Sequence, residues 1–121
     1  MPTTVYIVAA PQHDRNWIKS ALAQTAGMTA VFLDEAASLL ANPPSGRSCV
    51  IAFADADEMA TLALVRELRS QGSLLPVIVL GSHAAFRTAV QIAHFPATDF
   101  LERPVSARQL RQAVSGACPS S

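Results

Sequence analysis

Four short stretches hold the residues whose types and spacing could do chemistry. Ala54-Asp55-Ala56-Asp57-Glu58 places three carboxylates within one loop, and resembles the opening of a calcium loop. It lacks the glycine and the distal glutamate that such a loop needs, so one of Asp55 and Asp57 is expected to cap the following helix and favour its dipole. Gly81-Ser82-His83 offers a hydroxyl and an imidazole. With no nucleophile placed beside it, His83 reads as a solvated first-turn residue, and Ser82 as the cap of the next helix. Ala9-Ala10-Pro11-Gln12-His13-Asp14 has no glycine, which excludes a dinucleotide or phosphate cradle built from backbone amides. His13 and His94 have no neighbours at metal-ligand spacing. Arg103-Pro104 supplies a lone cation. No nucleophile, base and orienting group come together, so independent catalysis is not expected, and neither a metal nor a cofactor is implied.

The elements that must position these loops are legible in the hydrophobic pattern. Val5–Ala10, Cys49–Ala54 and Pro76–Leu80 are short apolar runs rich in β-branched residues. Continuous apolar strands of this kind belong to parallel sheets covered on both faces. Weaker strands fit Thr29–Leu33 and Thr98–Leu101. Helical spacing fills the gaps. Asp14–Ala26 carries Trp17, Ile18, Ala21 and Leu22, with Asp14 as N-cap and Gly27 as the stop. Asp34–Ala41 is short, and Glu58–Ser70 carries Leu62, Leu64, Val65 and Leu68 before Gly72. Ser82–His94 carries Phe86, Ala89, Val90 and Ala93, and Ser106–Ser115 carries Ala107, Leu110 and Val114. Five strand-then-helix units without a linker predict a doubly wound α/β sandwich, whose chemistry sits beyond the carboxyl ends of its strands. Residues 1–116 form the expected domain, and 117–121 read as a disordered tail or the start of a linker.

Composition agrees with one domain. Of 121 residues, half are hydrophobic and 15% charged, with nine basic and nine acidic side chains. Mean hydropathy is +0.29 and the pI is near 6.8. A disordered chain is excluded, and there is no net positive field to hold a nucleic acid directly. No apolar run is long enough to span a membrane, and the start of the chain lacks the basic region of a secretory signal. A reduced, cytoplasmic setting is therefore expected. Cys49 reads as a small buried hydrophobe and Cys118 as part of a polar tail.

Leu75-Pro76-Val77-Ile78-Val79-Leu80-Gly81-Ser82-His83, followed by Thr98-Asp99-Phe100-Leu101-Glu102-Arg103-Pro104-Val105, resembles the last two strands of a response-regulator receiver domain. It is most similar to receivers that precede a LuxR-type helix-turn-helix. Val5-Tyr6-Ile7-Val8 and Leu62–Leu68 fall in the same register, and the resemblance spans residues 4–115. It implies the flavodoxin-like, CheY-like (βα)5 fold with a five-stranded parallel sheet in the order 2-1-3-4-5. Receivers accept a phosphoryl group on an aspartate ending the third strand. An acidic pair after the first strand holds Mg²⁺, a hydroxyl ends the fourth strand, and a lysine precedes a proline after the fifth.

Carried over by position, the acidic pair becomes Ala9 and Ala10, the acceptor Phe53, the hydroxyl residue Gly81 and the cation Arg103, with a cis Arg103-Pro104 bond implied. The resemblance thus implies a pseudo-receiver, in which Phe53 packs on Ala9, Ala10 and Ala52. It would act in signalling, dimerisation or protein interaction as the regulatory part of a transcription regulator, with a DNA-binding output domain in a longer chain. The family's exchange surface of fourth helix, fifth strand and fifth helix maps to Arg87, Gln91, His94, Phe95, Phe100 and Arg108, either for a protein partner or for a homodimer. Phe100 falls at the switch-aromatic position, although core packing would equally explain it. Two alternatives stand beside this. Asp55 or Asp57 would serve as a displaced acceptor with Ser82 and Arg103 assisting, or a small molecule would occupy the former pocket, anchored by Arg103 and the loop acids.

Overall fold

A computed structural model describes residues 3–42, 44, 47–55, 58–82 and 85–117, with Phe86 described by its backbone alone. Asp57, His83 and Cys118 lie outside the described residues. Strands and helices alternate as β1 (Thr3–Val8), α1 (Gln12–Ala23), β2 (Met28–Leu33), α2 (Ala36–Ala41), β3 (Ser48–Phe53), α3 (Glu58–Ser70), β4 (Val77–Gly81), α4 (Phe86–Ile92), β5 (Thr98–Glu102) and α5 (Ala107–Ala117). The five strands form one parallel sheet in the order β2-β1-β3-β4-β5, as expected.

Successive strand residues point to opposite faces, so the sheet divides its apolar side chains between two cores. On one face Val5, Ile7, Cys49, Ile51, Phe53, Ile78 and Leu80 pack against Ile18, Ala21 and Leu22 of α1 and Leu110 and Val114 of α5. On the other, Val8, Val50, Ala52, Val77 and Val79 meet Leu39 of α2, Leu64, Val65 and Leu68 of α3, and Ile92 of α4. Both β3 and β4 are buried along their whole length, which is why their sequences are apolar without alternation. Cys49 is buried in the α1/α5-side core, as expected.

Several boundaries differ from the sequence expectation, each for a local reason. Helix α1 begins at Gln12 with Pro11 at its N-cap, because a proline ring suits a helix start. Asp14 is therefore no cap but lies inside the first turn. Helix α4 is shorter than its apolar pattern: Ser82 does not cap it, and Ala85 occupies the N-cap. Among its described side chains Thr88 and Ile92 are buried, whereas Val90 is 46% exposed. Helix α5 starts with a capping box in which Gln109 N–H donates to Ser106 Oγ and Ser106 N–H to Gln109 Oε1. It continues through Gly116 and Ala117, residues read from sequence as the end of the domain and the beginning of a tail.

Candidate site at the carboxyl edge of the sheet

The parallel strands bring the ends of β1, β3, β4 and β5 to one edge, and with them Ala9, Ala10, Phe53, Asp55, Gly81, Ser82 and Arg103. Ala9 follows β1 with φ of 52°, a left-handed conformation uncommon for a side chain of its kind. Its N–H donates to the Leu33 carbonyl at 2.8 Å. Ala10 and Phe53 are buried in the same core cluster on the α1/α5 face, while Ala52 faces the other core. Ala9 itself is exposed.

Arg103 extends over Phe53, its guanidinium carbon 5.7 Å from the ring centroid, within cation–π range. Its Nη2 then meets Asp14 Oδ1 at 2.7 Å. Trp17 Nε1 donates to the same oxygen at 2.7 Å, one helical turn along α1. Asp14 is 1% exposed, and its second oxygen, Oδ2, has no hydrogen bond; His13 Nε2 stands 3.4 Å from it. Burial pushes the Asp14 carboxyl up, but hydrogen bonds from Arg103 and Trp17 and the charges of Arg103 and His13 outweigh it. The net direction is below the ordinary carboxylate range. The Arg103-Pro104 bond is cis, as the resemblance implied.

The carboxylate of the next loop is engaged elsewhere. Asp55 accepts the Ser82 N–H at 3.0 and 2.9 Å on its two oxygens, and the Ser82 hydroxyl at 2.8 Å on Oδ1. Neither residue caps a helix; together they fasten the loop after β3 to the end of β4. Just before Ser82, a methyl group added at Gly81 would stand 2.9 Å from Phe100 Cζ and 3.2 Å from Ala54 Cβ. The Phe100 ring therefore fills the space that a side chain at position 81 would need.

This donor set does not fit a divalent cation. Such ions take several oxygen ligands, whereas Ala9 and Ala10 offer no side-chain oxygen, Asp14 is closed onto Arg103, and Asp55 onto Ser82. Among the described residues, no three His, Cys, Asp or Glu side chains are grouped to hold a metal.

The fold has close relatives among solved structures. FixJ-N superposes with a TM-score of 0.84 at 23% identity, covering the whole of this chain and 97% of that one. NtrX of Brucella abortus gives 0.78 at 28% identity over 98% of this chain and 26% of its own. No family model matches the sequence. The transcriptional regulatory protein FixJ of Azorhizobium caulinodans is 31% identical over 84 residues, which are 69% of this chain and 40% of that protein. The chain is a response-regulator receiver domain. The matched stretch covers 40% of the FixJ sequence.

The exchange surface expected from the resemblance is the α4–β5–α5 face. Of the residues mapped to it, Arg87, Gln91, His94 and Arg108 are exposed, and Phe95 and Phe100 are half-buried against the core that α3 and α4 cover. Phe100 is thus an inward-packed ring. No helix among the described residues is long and apolar enough to cross a membrane.

Sequence reading missed the Asp14–Trp17–Arg103 cluster. A three-residue spacing placed Asp14 and Trp17 on one helical face, beside Ile18 and Ala21, which was the available signal. Their partner lies 89 residues away from Asp14, beyond any local pattern.

Proposed function

We propose that this receiver domain is a phosphorylation-independent interaction module, the regulatory part of a longer transcription regulator, that engages a protein partner or a second copy through its α4–β5–α5 face. One observation carries the reading: the cation that would meet a phosphoryl group is closed onto Asp14 at 2.7 Å, with Phe53 lying at the acceptor position beneath it. A phenyl ring has no oxygen to accept the group, and the two alanines after β1 bring no metal. Gly81 offers no hydroxyl, and the space beside it holds Phe100, the aromatic that would report the state of the pocket to the exchange face. The domain then presents that face in one state. The FixJ relative carries further chain beyond the matched region, in keeping with an output domain that binds DNA while this domain does not.

The displaced-acceptor reading is less well supported, since Asp55 would have to give up its hydrogen bonds to Ser82 and swing toward a cation already paired. Intact mass after incubation with Mg²⁺ and acetyl phosphate separates the two. The proposal expects no phosphoryl adduct while a competent receiver in the same tube is labelled. A labile adduct lost in Asp55→Ala or Asp57→Ala would establish the displaced acceptor instead.

A further inference from the structure

The old pocket is filled on only one face of the sheet. Phe53, Arg103 and Asp14 occupy the α1/α5 side, while on the α2/α3 side a cleft of about 310 Å³ remains beside the ends of β1 and β3. Phe53 also borders this cleft, and its other walls include Ala9, Ala36, Ala52, Ala60 and Leu64, small side chains that leave room where larger ones would close it. The volume sits at the lower end of small-molecule sites, and the walls are mainly apolar, as such sites generally are.

The polar groups at its rim are acidic. Asp34 and Glu35 line the cleft. Arg15 is the opposing base: its Nη2 lies 3.2 Å from Asp34 Oδ1 and offsets that one charge. Glu35 is exposed and forms no ion pair among the described residues. The Thr61 hydroxyl is directed to the Phe53 carbonyl at 3.2 Å. Arg103, expected from sequence to anchor a ligand, is committed to Asp14 on the other face of the sheet.

We infer that this cleft binds a compact organic cation, with an apolar body of benzyl size among the alanines and an ammonium group toward Glu35. The inference goes beyond the proposed function and does not depend on whether the domain accepts a phosphoryl group. Apolar area supplies the attraction, and the unbalanced carboxylate selects the sign of charge. A ligand this small binds weakly, with half-saturation on the order of 1 mM.

Amide NMR spectra of the domain titrated with benzylamine at neutral pH test it, with benzyl alcohol and benzoate as probes of the same shape. The expected result is saturable shifts at Ala9, Ala36, Ala60 and Thr61 with benzylamine, weaker ones with the alcohol, and none with benzoate. Glu35→Gln should weaken benzylamine by about threefold, as an exposed charge contact does. Ala60→Phe, at an exposed helix position, should abolish the shifts while the spectrum stays dispersed. Equal shifts from benzoate, no saturable shift at these residues, or unchanged binding in both variants would overturn the inference.

Discussion

Arg103 Nη2 and Asp14 Oδ1 lie 2.7 Å apart, joining the loop after β5 to the first turn of α1 across 89 residues of chain. Asp14 is buried and the arginine side chain is 26% exposed, so the pair is unequal in what its loss would leave behind.

Removing Arg103 strands a buried carboxylate, whereas removing both partners does not. Arg103→Met is expected to lower stability by about 2–4 kcal/mol, and Asp14→Leu combined with Arg103→Met to recover most of it. Urea unfolding of the single and double variants measures the difference, and equal losses in both would remove the pair from the account.

Acid should act through the same carboxylate. Asp14 is held below its ordinary value, so the folded state binds its proton less readily than the unfolded chain does. Its contribution is fully present above the unfolded-state pKa of about 3.9, and is lost as pH falls through the lower, folded value. Unfolding midpoints should therefore fall below about pH 4 from this group, and Asp14→Asn should flatten that part of the profile. An unchanged acid limb in Asp14→Asn would show that other carboxylates set it.

A side chain at Gly81 should displace Phe100. Gly81→Ser puts a Cβ where the ring edge now stands, 2.9 Å from Cζ, so the ring must turn outward or the strand ends must part. The expected loss is about 1–3 kcal/mol, relieved in part by adding Phe100→Ala. A crystal structure of Gly81→Ser with Phe100 unmoved would contradict this.

Restoring one group should not restore phosphotransfer. Phe53→Asp removes a buried ring and places a carboxylate in its core, at a loss of about 3–5 kcal/mol. Ala9 and Ala10 still supply no oxygen for a cation, so no phosphoryl adduct is expected by mass. An adduct in this single variant would mean that the remaining groups suffice.

How much of this was legible in the sequence depended on distance along the chain. The strand order came only with the receiver resemblance, whereas the doubly wound sandwich followed from apolar runs such as Val77–Leu80 and from helical spacing such as Leu64, Val65 and Leu68. These are local patterns that burial enforces directly. The positions Ala9, Ala10, Phe53 and Gly81 were singled out through the resemblance, which places the family's pocket at the strand ends. Their side chains' partners were not. Ser82 and Asp55 each resembled a helix cap in local context, yet they found one another across 27 residues. Asp14 looked like a cap because Pro11 could not be weighed against it from spacing alone. In α4, the apolar residues Val90 and Ala93 suggested a face that packing did not use, since the helix spans only seven residues. The open cleft on the α2/α3 side was invisible for a simpler reason: alanines read as ordinary packing until their neighbours are known.

If nothing at the strand ends receives a phosphoryl group, as proposed, the α4–β5–α5 face should stay in one state. The most direct test is the amide NMR spectrum of the domain before and after addition of Mg²⁺ and acetyl phosphate, followed at Gly81, Arg87, Gln91, His94 and Phe100. Spectra that superpose at all five are expected, with a competent receiver shifting under the same conditions. Shifts that grow with phosphodonor at Gly81 and Phe100, and reverse as it hydrolyses, would contradict the proposal and make this receiver a working switch.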